Sequence, residues 1–378
     1  MRVAQLANFV GPTSGGMKTA VDRIGRGYVE AGAARMLVVP GPRDLRTTTP
    51  AGDVVQVRAP EVGGGYRLIV EPWRVAELLE DFAPTSIEVS DKSTLIPVAR
   101  WARRRGVPTV LFSHERLDAM LSLRTGLRLE TGRASGLGAA PVEVFNRVLV
   151  RSFDRVVVTS AYALHELAEL ARRAGTLVHR IPLGVDLHTF RPHDVVRPGE
   201  GEPLRLVHVG RLSREKSPHL AVATAVRLHR DGVPVRLDVY GTGPHAHELR
   251  DLARGAPVTF HGHVASRGEL ARRIAAADVA LSVCPGETFG LAVLEALACG
   301  TPVVTAGHGG ARELVDATCG AWGGPDPAWL AAAVLDLASR PRGPVRAAAR
   351  RRAEGFCWSR TVEEMVDLHR ELAGAPVA

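Results

Sequence analysis

The chain has 378 residues, 46% of them hydrophobic, and a net charge of +8. That length exceeds what a single hydrophobic core usually serves, so about two domains are expected. No apolar run of ~18 residues occurs, the start Met1-Arg2-Val3-Ala4-Gln5-Leu6 enters a strand at once without the layout of a signal peptide, and no Cys-x-x-Cys joins the four cysteines, so a membrane-spanning helix, a secreted form and a disulfide scaffold are all set aside in favour of a cytosolic protein.

In the first half, short apolar strands alternate with helical segments. Strands are predicted at Val3–Asn8, Met36–Pro40, Val54–Arg58, Ser86–Val89, Thr109–Ser113 and Val156–Thr159. Helices are predicted at Met17–Ala31, Pro72–Phe82 (with proline at its start), Thr94–Arg105, Val142–Phe153 and Ala163–Ala174. Residues 124–139, rich in Gly and Arg, read as a mobile loop. Residues 182–203, rich in Pro, Gly and charge, read as a linker, after which the pattern restarts. Strands follow at Leu204–Val209, Val235–Tyr240, Val258–Phe260, Val279–Val283 and Val303–Thr305. Ser217-Pro218 predicts an N-cap and first turn for a helix ending at Arg230, Leu291–Cys299 a helix closed by Gly300, and Thr361–Leu372 a final amphipathic helix. Such βαβ order implies parallel sheets covered on both faces, hence two doubly wound α/β domains with a cleft between them.

Open α/β sheets bind ligands outside the carboxyl ends of their strands, and the informative residues fall there. Gly286-Glu287-Thr288-Phe289-Gly290-Leu291, with Glu295 further on, gives a Glu-x7-Glu pair on a strand–loop–helix unit. Free N–H groups and the helix dipole make such a start an anion site, and carboxylates beside it suit sugar hydroxyls. Gly210-Arg211-Leu212-Ser213-Arg214-Glu215-Lys216 brings a guanidinium fork and an ammonium to another helix start, the charge a diphosphate leaving group needs. Gly241 and Val264 follow the next two strands, where backbone can approach a nucleotide. Gly15-Gly16 does the same after the first strand, and the absence of Gly-x-Gly-x-x-Gly argues against a nicotinamide or flavin enzyme. His114 ends the strand 109–113, and Asp91 and Arg116 are read as acceptor-side residues. No His-x-x-x-His and no Asp-x-Asp at a strand end suggest a metal.

The charge is uneven. Residues 1–190 hold 25 basic and 19 acidic side chains, and residues 100–133 hold eight arginines. This predicts either a solvated arginine-rich face or contact with an anionic partner such as a membrane surface. Lysine is rare, at Lys18, Lys92 and Lys216 alone, so each lysine stands out.

Gly15-Gly16, His114, Gly210-Arg211 with Lys216, and Glu287 through Glu295 together resemble family 4 of the retaining, nucleotide-sugar-dependent glycosyltransferases, over nearly the whole chain. Val3 to Phe9, Ser90-Asp91, Ser113 to Asp118 and Pro182 to Asp186 are most similar to the actinobacterial phosphatidylinositol-mannoside mannosyltransferases, which use GDP-mannose. The resemblance implies the GT-B fold, two Rossmann-like domains facing a central cleft. An acceptor-side domain would span 1–185, a linker 186–203 and a nucleotide-sugar domain 204–360, with residues 361–376 crossing back onto the first domain. Arg211 and Lys216 would hold the donor diphosphate, Glu287 and the backbone at Phe289, Gly290 and Leu291 the sugar or phosphate, Glu295 the ribose and His114 the donor sugar. No cofactor, metal or nucleic-acid partner is implied. The expected partners are GDP-mannose, a hydroxyl acceptor and, for a lipid acceptor, the inner face of an anionic membrane. A transferase acting on a soluble acceptor, a nucleotide-sugar epimerase and a non-catalytic nucleotide-sugar binder remain as alternatives. A pyridoxal-phosphate phosphorylase is disfavoured, because the second half has no lysine besides Lys216.

Overall fold

The computed structural model describes residues 1–8, 15–63, 66–90, 92, 94–125, 140–193 and 201–374. It divides into two compact units: Met1–Asp118 with Arg128–Pro182 and Trp358–Ala378, and Ala119–Leu127 with Leu183–Cys357. Each is built around one mainly parallel sheet.

The first unit runs β1 (Arg2–Leu6), α1 (Gly16–Glu30), β2 (Ala34–Gly41), β3 (Leu45–Thr49), β4 (Gly52–Arg58), β5 (Glu61–Gly63), β6 (Tyr66–Arg67), α2 (Pro72–Phe82), β7 (Ser86–Val89), α3 (Ile96–Arg104), β8 (Thr109–Ser113), α4 (Leu117–Thr125), α5 (Ala140–Ser152), β9 (Arg155–Val158), α6 (Ala161–Ala174) and β10 (Leu177–Arg180). Its sheet has the order β10-β9-β8-β7-β1-β2-β4-β3, parallel except for β3 against β4. β7 and β8 are buried along their whole length, as strands covered on both faces must be. β3 escapes sequence reading because it is an edge strand with mostly exposed polar residues and no apolar alternation to mark it.

The second unit runs β11 (Leu204–Val209), α7 (Pro218–Arg230), β12 (Val235–Tyr240), α8 (Ala246–Leu252), β13 (Val258–Gly262), α9 (Arg267–Ala275), β14 (Val279–Ser282), α10 (Leu291–Ala298), β15 (Val303–Ala306), α11 (Gly310–Glu313), β16 (Gly320–Gly323), α12 (Pro327–Ser339) and α13 (Arg342–Glu354). Its sheet order is β13-β12-β11-β14-β15-β16, every neighbour parallel. Renumbered from one, that is 3-2-1-4-5-6, the doubly wound dinucleotide order, whose winding reverses between β11 and β14. The strand Gly320–Gly323 was not foreseen because its Gly-Ala-Trp-Gly sequence carries no β-branched run.

The final helix, α14 (Trp358–Leu372), belongs to the first unit. Thr361 Oγ1 donates to the Pro182 carbonyl at 2.8 Å. Val362 lies where a Cβ on Gly27 of α1 would be, 2.4 Å from its methyls, so only glycine lets the two helices approach this closely. Of the segment expected as a linker, Leu183 to His193 clusters with the second unit: Val185 N–H donates to the Phe356 carbonyl at 3.0 Å, and Phe190 is fully buried. Cys284, Cys299 and Cys319 are buried free thiols and Cys357 is a partly buried one. No helix among the described residues is long and apolar enough to cross a membrane. The loop 124–139 lies almost wholly outside the described residues, and Arg128 and Arg133 with it.

Candidate active site

The reversal between β11 and β14 leaves a crevice at the carboxyl edge of the second sheet, flanked by the loops that follow those two strands. The β11 loop carries Arg211, half-buried, and a 3-10 turn over Arg214–Lys216. The β14 loop carries Glu287. Lys216 Nζ donates to Glu287 Oε2 at 2.8 Å, joining the loops across the reversal. Beside them Cys284 Sγ donates to the Glu215 carbonyl at 3.0 Å, and burial first, then Glu287, pushes this thiol up to about 11, so it is a neutral brace and not a nucleophile. The Glu287 carbonyl accepts the Gly310 N–H at 2.6 Å, fixing the loop from its other side.

Ser217 departs from expectation. It is not a side-chain N-cap: its φ and ψ are 48° and 42°, and its hydroxyl donates back to the Arg214 carbonyl at 3.4 Å. A non-glycine residue held left-handed costs about 1–3 kcal/mol and marks a position the surroundings over-determine. Here it sets the direction of the chain right after Lys216.

α10 begins as foreseen at Leu291, with Gly290 left-handed at φ 104° and Phe289 buried edge-on to Phe356 at 6.4 Å. Glu295, one turn in, accepts from Arg267 Nη2 at 2.7 Å. Burial raises its pKa, and Arg267 opposes that shift. Gly241 has a packing explanation: at φ 138° its Cβ would sit 1.9 Å from the Gly210 carbonyl oxygen, so the glycine serves the approach of two loops and no ligand need be invoked for it. Val264 is half-buried on the loop between β13 and α9.

In the first unit the winding reverses between β1 and β7. Gly15 is the cap position of α1 and Gly16 its first residue, both exposed. A Cβ on Gly15 would meet nothing within 4 Å among the described residues, so packing against them does not explain this glycine. His114 follows β8, stacks obliquely on Phe112 at 4.3 Å and shares a 3.2 Å hydrogen bond with Ser90 Oγ at the end of β7. Burial pushes its imidazole down to about 4, with Glu88 opposing and Lys92 assisting, so at neutral pH it is uncharged and one ring nitrogen is a donor. Asp91 lies outside the described residues. Arg116 is corrected: it is buried, clamps Asp118 through Nε at 2.9 Å and Nη2 at 2.6 Å, donates to the Tyr162 carbonyl at 3.0 Å and lies over the Tyr162 ring. Its guanidinium is committed to folding the turn after His114, and the acceptor role read from sequence is withdrawn.

Two networks behind these residues had not been foreseen. Lys92, whose rarity as a lysine was the available signal, donates to the Glu115 carbonyl at 2.5 Å and to Glu166 at 3.0 Å. Glu166 also accepts the N–H groups of Leu117 and Asp118. Together they pin the turn carrying His114. Glu88, on a fully buried strand, accepts from Tyr28 at 2.5 Å and Gln5 at 2.9 Å, with His369 of α14 at 3.5 Å. Burial alone would raise its carboxyl, but His369, Tyr28 and Gln5 bring it below the usual range. Of the arginines on and just after α3, Arg103 donates to the Arg151 carbonyl at 2.9 Å, and Arg105 pairs with Glu80 and covers the Trp101 ring.

Against known proteins, residues 203–340 match the family model described as glycosyl transferases group 1, and residues 15–184 that of the glycosyl transferase 4-like domain. A GDP-mannose-dependent alpha-(1-6)-phosphatidylinositol dimannoside mannosyltransferase of Mycobacterium tuberculosis is 40% identical over 375 residues, covering 97% of this chain and 95% of that one. D-inositol 3-phosphate glycosyltransferase 1 of Catenulispora acidiphila is 33% identical over 71% of this chain and 68% of its own. Among solved structures, sucrose-phosphate synthase from Thermosynechococcus elongatus superposes with a TM-score of 0.79 at 21% identity, over 99% of this chain and all of the other, and Anabaena HepE in complex with UDP-glucose with 0.73 at 17%, over 98% and 100%. These two speak for the fold alone. The chain belongs to these glycosyltransferases, and its fold is the GT-B class read from the sequence.

Proposed function

Taking membership of that family as the premise, we propose that this hexosyltransferase moves a mannosyl group from GDP-mannose to a hydroxyl of a phosphatidylinositol-mannoside-type glycolipid, with retention at the anomeric carbon and without a metal. The observation that carries the site assignment is the Lys216–Glu287 pair at 2.8 Å across the β11/β14 reversal. It sets a cation for a diphosphate and a carboxylate for sugar hydroxyls side by side at the edge where doubly wound sheets take nucleotides. The GDP-mannose and inositol-lipid specificity is supported by the 40% identical mycobacterial relative.

In the proposed reaction Arg211 and Lys216 hold the donor diphosphate. The N–H groups opening α10 and the Glu287 carboxylate hold the sugar end, and Glu295 holds the ribose. Gly15 and Gly16 admit the donor close to the backbone, and neutral His114 donates to the sugar. The bond from the anomeric carbon to the diphosphate oxygen breaks, and the acceptor oxygen bonds to the same carbon on the same face. The acceptor's proton passes to the departing diphosphate, so no second carboxylate is required at the far face. The reaction runs at the cytoplasmic side, with the exposed Arg100, Arg103 and Arg104 of α3 available to an anionic lipid surface.

Calorimetry with GDP and UDP side by side, without added metal, tests the donor. Preference for GDP, followed by transfer from GDP-mannose to inositol mannoside in vesicles and an alpha product by NMR, is the expected result. Preference for UDP would overturn the donor. A second reading, a soluble inositol phosphate as acceptor, is favoured by the 33% identical relative from Catenulispora. Turnover with that compound and indifference to vesicles would select it.

A further inference from the structure

Arg267 stands in an unfavourable place for a cation. It is the first residue of α9, at the positive end of the helix dipole, where Glu269 in the same turn is the residue type the dipole prefers. Ser266 caps the helix by accepting the Glu269 N–H at 3.2 Å, so Arg267 is not needed to start it. Its guanidinium lies over the ring of fully buried Phe190, 4.9 Å from the centroid, and Nη2 donates to Glu295 Oε1 at 2.7 Å. Phe190 is itself held: its carbonyl accepts from Arg350 at 2.9 Å and its N–H donates to the Asp186 carbonyl at 2.9 Å. An aromatic floor and a carboxylate wall thus fix a flat cation in one pose.

The carboxylate so held is the one assigned above to the ribose, and the inference rests on that assignment. We propose that Arg267 is a positioning residue for the nucleotide: it holds the Glu295 carboxylate charged and aimed, engaging one oxygen and leaving acceptor capacity for the vicinal hydroxyls of the ribose. A carboxylate offers about four lone-pair sites, so one charge-assisted bond from Arg267 does not exhaust it. Glu295 is 12% exposed, and a largely buried carboxyl deprived of the cation beside it tends to take up a proton; a neutral carboxyl is the weaker acceptor for two hydroxyls. Other charged or titratable groups lie on the neighbouring elements. Arg346 and Arg350 of α13 are engaged with backbone carbonyls. Cys299, which follows α10, is pushed up to about 12 by burial, then by Glu295, and stays neutral. His263 is exposed on the loop before α9.

The test is calorimetric binding of GDP from pH 6 to 9, each variant read as a ratio to the wild type at the same pH so that titration of the terminal phosphate cancels. Arg267→Ala should bind about 10- to 100-fold more weakly at the acid end of this range, and the deficit should shrink toward the alkaline end. Arg267→Lys should recover most of the loss. Arg267→Ala combined with Glu295→Gln should match Glu295→Gln alone and lose the pH dependence, which separates Glu295 from His263. GDP should also lose its advantage over 2′-deoxy-GDP in Arg267→Ala. A deficit that is flat with pH, or additive with Glu295→Gln, would overturn the positioning role while leaving Glu295 on the nucleotide. Unchanged GDP binding in Glu295→Gln would instead remove the ribose assignment itself.

Discussion

Replacing Lys216 by Ala separates a structural ion pair from a catalytic cation. Lys216 is 42% exposed and Glu287 16% exposed, so solvent reaches their 2.8 Å contact from the lysine side. Pairs that solvent reaches contribute about 0–1 kcal/mol to stability, and this half-buried one should lie at the upper end of that range. For a domain of roughly 150–250 residues that is a shift of about 2–4 °C per kcal/mol in melting temperature. A cation stabilising charge that develops in the transition state weighs far more: removing one such group typically costs about 2.7–4 kcal/mol, or 10²- to 10³-fold in kcat. Lys216→Ala should therefore lower kcat for transfer from GDP-mannose by two to three powers of ten, roughly, while the melting temperature by circular dichroism falls by no more than about 4 °C. Lys216→Arg should recover part of the rate, because it keeps the charge and loses the point geometry. A kcat within about tenfold of wild type would refute the leaving-group role. So would a large fall in melting temperature that accounts for the lost rate, since the pair would then be holding the two loops together and not the diphosphate.

Three further outcomes follow from the geometry. His114, with its pKa pushed down to about 4 by burial, should show no imidazole titration between pH 5 and 8 by NMR. The unfolded chain takes up a proton near 6.5 that the folded chain refuses, so His114 lowers stability as pH falls from there toward 4, and His114→Gln should flatten that slope; a resonance titrating near 6.5 would contradict the burial argument. Arg116→Ala leaves the fully buried Asp118 carboxylate without its clamp and should cost about 3–5 kcal/mol in urea unfolding, with the acceptor KM of the folded fraction unchanged; normal stability with an altered acceptor KM would restore the role withdrawn above. Gly241→Ala must move the Gly210 loop, since the new methyl would lie 1.9 Å from its carbonyl oxygen, and should lose about 1–3 kcal/mol. A melting temperature equal to wild type would show that the loop gives way freely.

Most of the sheet was legible in the sequence, because strands buried on both faces are written as short apolar runs: Ser86–Val89, Thr109–Ser113, Leu204–Val209 and Val235–Tyr240 lie where the hydropathy pattern puts them. What escaped reading has no such local mark. β3 is paired to one neighbour only, and β10 is mostly exposed or half-buried. The turn at Ser217 looked like a cap because serine before proline usually is one, whereas its left-handed backbone is set by the 3-10 turn over Arg214–Lys216. The loops after β11 and β14 were placed correctly, since glycine and charge at the end of an apolar run are local features.

The site residues differ from the loops in a further respect: what they do depends on partners far along the chain. Arg116 and Lys92 look alike in a sequence, two cations near the first sheet's carboxyl edge, and only the fold shows that Arg116 holds Asp118 and Lys92 holds Glu166, 74 residues away. The family resemblance implied a ribose role for Glu295, but its counter-charge, 28 residues earlier on α9, left no mark in the sequence. Glu88 is the extreme case. A glutamate inside an apolar strand looks like an error of assignment until Tyr28, Gln5 and His369, from 60, 83 and 281 residues away, are seen to satisfy it. A buried carboxylate is tolerable only with such partners. The residue that reads worst in the strand pattern therefore helps tie α14 into the first unit, and a sequence that breaks the local rule at a single buried position is announcing a long-range contact.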